Sequence, residues 1–245
     1  VYDIIVFNRS FNDFSNIAFR GNSYETLEAY ARKVETRVDT KTRVETRTII
    51  SSPDELAAAT LEGFTVTEDM LGNYSQTTYG RTAPSRSSEE TPDGLYHLHF
   101  VPKKLTREVS AVLHIEGLNN IRSATCRLGG VAESIFLATG KTSANTVTQE
   151  FTPSNPEFSP GSPFNGTLSC EFEIFGLNVI DNNNLHLDAL LVDGKTEFEG
   201  DCTNVKITEN DDGTGSITLI LEASTEKVPD VKPEGGAGSG FDVDV

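Results

Sequence analysis

The sequence has no tryptophan, one methionine (Met70), three cysteines and four histidines among 245 residues. Each shortage excludes something. Without Trp, the broad stacking platform common in sugar-processing clefts is missing. Cys126, Cys170 and Cys202 are too widely spaced for a CxxC metal or redox motif. Their odd number also excludes a complete disulfide framework. One bridge with a free thiol, or three buried apolar thiols, is left, and the second is expected. No stretch is long and apolar enough to span a membrane. The motifs GxSxG, HExxH and the P-loop are absent, and "GGAGSG" at Gly235–Gly240 neither follows an apolar strand nor opens a helix. Carboxylates are numerous enough to furnish a glycosidase pair, but no motif singles one out. Basic residues are scarce: 20 Lys and Arg face 37 Asp and Glu, for a net charge of −17. Nucleic acid and a bare anionic membrane are repelled by such a surface. The expectation is a non-enzyme with no cofactor and no metal.

The residues that are present alternate with a period of two. "VYDIIVFN" reads as a strand buried on both sides. It has no basic region and no cleavage site, so it is not a signal peptide. The chain opens inside an element without an initiator Met, as expected of a processed chain whose export signal or anchor lies upstream. From Lys33 to Arg47 every odd position is charged, and every even position from Val34 to Thr48 is Val or Thr. A strand sorts these two sets onto opposite faces; a helix would mix them. The segment is one long strand, or two joined by a turn near Asp39. Upstream, Leu27, Ala29 and Ala31 put the apolar set at odd positions, so the phase flips near Arg32, as at a β-bulge. "SSPDELAAATLEG" predicts a short helix with Ser52 as cap, Pro53 in the first turn and Gly63 at its end. Residues 80–94 form a polar loop and "LYHLHFVP" a strand, closing a first domain near Lys104.

Eight further segments between Arg107 and Ser224 read as strands divided by turn signals such as "GLNN", "DNNN" and "NDDGTG". That spacing suits a β-sandwich. "PSNPEFSPGSPFNG" holds too much proline for a central strand and reads as a surface loop, and the chain after Ser224 reads as a linker. His97 and His99 share a strand face but lack a third ligand. The acidic loops lack the ladder of a calcium loop and are read as hairpin turns. Tyr74, Tyr79 and Tyr96 are the candidates for stacking on a sugar, and Asn73 and Asn165 fit the glycosylation acceptor pattern.

Three stretches together carry a family likeness: "YDIIVFN…IAFRG…SYETLEAYAR", "LTREVSAVLHIEGL" running into "LGGVAESIFLATGK", and the Gly-rich tether before "FDVDV". The chain resembles the fimbrillin-like lipoproteins of Bacteroidetes, a group of fimbrial subunits, anchors and tip adhesins. The resemblance implies an all-β protein of two tandem transthyretin-like (Ig-like) β-sandwich domains, with the single short helix. Residues 1–104 would form the first sandwich, 105–228 the second, and 229–245 a Gly-rich tether with a terminal strand. It also implies export, display on the outer membrane through an N-terminal lipid anchor absent from this chain, and partners that are other fimbrial subunits or host or microbial surface ligands. Assembly in such a family adds a strand from one subunit to a neighbour's sheet edge. Phe241, Val243 and Val245 alternate with Asp242 and Asp244, so a strand puts the three apolar side chains on one face. They would dock on their own chain or be donated to a neighbour. A surface glycan-binding module is the alternative function.

Overall fold

The computed structural model of the protein describes residues 1–38, 46–68, 70, 97–178, 183–211 and 217–233. Among these residues seventeen strands, numbered in chain order, form four sheets. The first sheet sets β1 (Tyr2–Phe7) against β6 (Ala57–Phe64) and β6 against β7 (Lys103–Lys104). The second has β3 (Glu28–Ala31) between β2 (Ile17–Arg20) and β10 (Ser134–Phe136).

The third sheet has six strands in the order β15 (Glu197–Asp201), β14 (Leu185–Leu191), β9 (Ile121–Ala132), β11 (Thr146–Phe151), β5 (Thr46–Ile50) and β4 (Lys33–Val38). The fourth has five, in the order β12 (Asn155–Phe158), β13 (Asn165–Ile174), β8 (Arg107–Glu116), β17 (Ile217–Ser224) and β16 (Thr203–Asp211).

The all-β expectation holds, but two tandem transthyretin-like sandwiches do not form. Strands from the first hundred residues are built into sheets made by the rest. β5 runs parallel to β11, with Ile49 beside Thr148 and Ile50 beside Gln149. β3 pairs antiparallel with β10 through Glu28, Ala29 and Tyr30. One apolar interior collects residues from both halves: Ile17, Ile50 and Leu56 pack in the same cluster as Leu113, Leu128, Leu187 and Leu221. The strict alternation of β8 explains its place there. Val109, Ala111, Leu113 and Ile115 are buried, while the residues between them are exposed or half-buried. Phe151 of the six-stranded sheet stacks on Phe172 of the five-stranded sheet with ring centroids 4.3 Å apart.

The predicted helix over residues 52–63 is not formed. Its capping groups bond distant parts of the chain instead. The Ser52 hydroxyl accepts the Glu173 N–H at 2.9 Å, and the Asp54 carboxylate accepts the Asn16 N–H at 2.7 Å. The Leu56 carbonyl accepts the Leu105 N–H at 2.7 Å. Ala57–Phe64 then pairs with β1, and this tertiary pairing overrides the helical preference of its alanines. β1 is a half-buried edge strand, not one buried on both sides. Residues 97–102 form no strand, contrary to the reading of "LYHLHFVP".

The charged segment resolves as two strands. β4 and β5 pair antiparallel from Lys33↔Ile50 to Val38↔Thr46, with an irregularity between Lys33 and Glu35, close to the expected bulge. The Pro-rich loop contains a short strand, β12, which lies at a sheet edge with all four residues exposed. The first part of the expected linker is docked. Val228 is fully buried, its N–H bonds to the Glu116 carbonyl at 2.9 Å, and Asn120 Nδ2 donates to Asp230 at 3.1 Å. Gly117 lies under this segment at φ +88°, and a Cβ there would meet the Val228 carbonyl oxygen at 2.8 Å.

Arg20 ties the second sheet to the rest. It pairs with Glu28 and, at 3.2 Å, with Glu133, while Ser134 donates to Glu28 at 2.6 Å. Burial alone would raise the Glu28 carboxyl, but Arg20 and Ser134 hold it below its ordinary value of 4.5. A carboxyl depressed by folding lends stability above its unfolded pKa and loses it as the pH falls through the folded value. The stability difference between the protein and Glu28→Gln is therefore expected to narrow as the pH is lowered from about 6 to about 3, measured by urea unfolding. Removing the ring that spans the interior, by Phe172→Ala, is expected to cost about 3–5 kcal/mol. Denaturation should remain one transition, and two separate transitions would contradict the shared interior.

Candidate functional site

A sheet edge offers unpaired N–H and C=O groups, so edges are where an all-β protein meets another strand. Most long edges here are defended. β15 carries Glu197, Glu199 and Asp201, β16 carries Lys206, Glu209 and Asp211, and β12 contains Pro156. β4 opens on Lys33.

β1 differs. Its sequence is YDIIVF, and its one charge, Asp3, accepts the Gly63 N–H at 2.8 Å. Among the described residues β6 is its sole strand partner, and no described strand pairs with its other edge. Tyr2 is 61% exposed at its start. At its other end Phe7 sits 4.8 Å from Phe11 and 5.3 Å from Phe19, and the buried Phe14 packs on Phe19 at 5.4 Å. These rings fix the edge, since aromatic pairs at such separations stabilise beyond the area they bury.

A cavity of about 420 Å³ lies at the start of β8 and the end of β13, lined by Lys104, Arg107, Lys141, Thr142 and Phe175 among others. Lys104 pairs with Glu173 at 2.7 Å and Arg107 with Glu209 at 2.8 Å, so two of its three cations are already matched by carboxylates.

The expected site residues are not tested by this geometry. Phe241, Val243, Val245, Tyr74, Tyr79 and Tyr96 all lie outside the described residues. His97 and His99 are exposed and sit outside any strand. Sequence reasoning misses a different histidine. His186, Asp188 and Glu199 bring ligand-type atoms within 4.8 Å of one another. His186 and Asp188 are two apart on β14, a spacing visible in the sequence, but Glu199 joins them through the β14–β15 register, which is not.

The three cysteines are free, with Cys126 buried and Cys170 and Cys202 half-buried. Burial pushes the thiols of Cys170 and Cys202 up to about 11, and the Cys126 thiol well above its ordinary value. No helix among the described residues is long and apolar enough to cross a membrane.

Residues 1–152 match the family model described as a domain of unknown function, DUF5119, and the chain belongs to that family. The match establishes the family at this level and does not reach the finer fimbrillin-like likeness. Two solved structures are similar, both candidate adhesins from Bacteroides ovatus. One is 16% identical with a TM-score of 0.49, covering 82% of this chain and 64% of that one. The other is 9% identical with a TM-score of 0.33, covering 81% of this chain and 55% of that one. The chain therefore spans less than two thirds of either structure's length. No curated protein matches it.

High thiol pKa values make the cysteines poor nucleophiles, because the thiolate is the reactive form. In the folded protein at pH 8, iodoacetamide is expected to modify Cys170 and Cys202 about two orders of magnitude more slowly than an unfolded thiol. Mass spectrometry with and without urea measures the ratio.

Proposed function

We propose that the protein is a non-catalytic, exported cell-surface subunit of adhesin or fimbrial type that joins its neighbours by β-strand addition. The observation that carries this reading is the edge of β1 that no described strand pairs, the one long described edge with a single charge and no proline. An incoming strand there would gain backbone hydrogen bonds along six residues, while alternate side chains would set specificity. In sequence the tail carries a matching donor pattern, since a strand would put Phe241, Val243 and Val245 on one face behind a Gly-rich run. Burying each of the three would contribute ~1.5–3 kcal/mol before the cost of ordering the tail. The partners are other subunits of the same assembly or host or microbial surface ligands. The lipid anchor implied by the sequence resemblance belongs to this proposal as well.

Deleting residues 236–245 is expected to leave the thermal transition in place and to weaken self-association about tenfold or more, measured by sedimentation velocity. Amides of Tyr2–Phe7 should gain protection from hydrogen exchange when the full chain associates. A deletion that lowers the melting temperature without changing association would mean that the tail docks on its own chain, and the donor role would be lost.

A further inference from the structure

The outer face of the six-stranded sheet carries a histidine in an unusual setting. Buried and half-buried residues alternate along β14, which sends His186 and Asp188 to the face opposite the core residues Leu185 and Leu187. The strand register sets Asp201 beside His186 and Glu199 beside Asp188, both on β15. His186 Nδ1 lies 2.9 Å from Asp201 Oδ1, and Nε2 lies 3.3 Å from Asp188 Oδ1. Each ring nitrogen thus faces a carboxylate oxygen. A neutral imidazole has one N–H, so it can donate to one of these oxygens and must turn a lone pair toward the other. Either a second ring proton or a metal cation between that lone pair and the oxygen removes the conflict.

The geometry points to a metal ion in that place. We infer that His186, Asp188 and Glu199 form a binding site for a divalent transition metal of the zinc class. One imidazole nitrogen with two carboxylates is a donor set that suits zinc and does not suit calcium, which takes oxygen ligands. The three donor atoms lie within 4.8 Å of one another. Ligands bound to one zinc at about 2.0–2.2 Å sit roughly 3–4 Å apart, so a small swing of the exposed Glu199 closes the set. Asp201 then accepts Nδ1–H and aims Nε2 at the ion, the arrangement by which a second carboxylate orients a metal-bound histidine.

Arg127 pairs with Glu150 at 3.1 Å and with Asp188 Oδ2, which fixes the Asp188 carboxylate with Oδ1 toward His186. A cavity of about 240 Å³ lined by Thr125, Arg127, Asp188, Phe198 and Glu199 opens beside the group and has room for water as a fourth ligand. The Arg127 charge opposes cation binding, so the site is of moderate affinity. Its effect is to clip the edge strand β15 to β14.

Titration of the metal-free full chain with zinc, followed calorimetrically in the presence of excess calcium, tests the site. The expected result is one equivalent bound with a dissociation constant below about 50 μM, weakened tenfold or more by His186→Ala and by Glu199→Gln, with a smaller loss for Asp201→Asn. Glu209→Gln, an acid elsewhere on the surface, should leave the binding unchanged. Cobalt in place of zinc should give visible absorption bands that Glu199→Gln removes. Zinc binding that is equal in all the variants, or that calcium abolishes, would be diffuse attraction to an acidic surface and would overturn the inference. Circular dichroism in a chelator confirms that each variant is folded. Should His186→Ala fail that check, Glu199→Gln decides the matter, because its side chain is exposed.

Discussion

Phe151 and Phe172 face each other at 4.3 Å across the interior, and the two larger sheets are organised around that contact and its aliphatic neighbours. Burial of apolar surface is non-directional, so it says little about which strands must be adjacent. Adjacency comes from backbone pairing, and here the pairing is long-range. β5 reaches β11 across about a hundred residues, and β3 reaches β10 across a similar distance. Loop-closure entropy for such pairs grows only slowly with length. A chain of this topology can therefore weave its first strands into a sheet built much later in the sequence, provided the interior repays the closure.

That weaving is where sequence and structure part. Period-two alternation locates β8, β9, β11, β13, β14, β15 and β17 because their less exposed residues recur largely at every second position between glycine- or asparagine-rich turns. It does not identify β16, whose residues Thr203–Asp211 are mostly exposed and polar. Ser52, Pro53 and Asp54 imitate a helix start because a capping side chain looks the same in sequence whether it bonds its own helix or a distant strand. The tandem-sandwich expectation fails for a related reason. Local patterns reveal faces and turns, while the choice of partner strand depends on register and edge availability.

The same limit applies to the candidate sites. The tail motif is legible as an alternation, yet the acceptor edge is not, because β1 reads as a fully buried strand until its neighbours are known. The His186 group is half legible. Two residues of one strand announce a common face, but the carboxylates of Glu199 and Asp201 arrive by hairpin register. Charged edges such as β15 are usually understood as protection against unwanted pairing. In this protein the same acids also stand next to a histidine, so one set of residues can both repel foreign strands and hold an ion.

The docking of Val228 against Gly117, with Asp230 held by Asn120, has a geometric consequence for the C-terminal residues. It anchors the last described stretch to the turn between β8 and β9. Val245 lies fifteen positions after Asp230, and an extended chain advances at most ~3.6 Å per residue, so Val245 stays within roughly 54 Å of that anchor. Chain length alone sets that radius. Any surface it meets, on this molecule or another, must come inside that sphere.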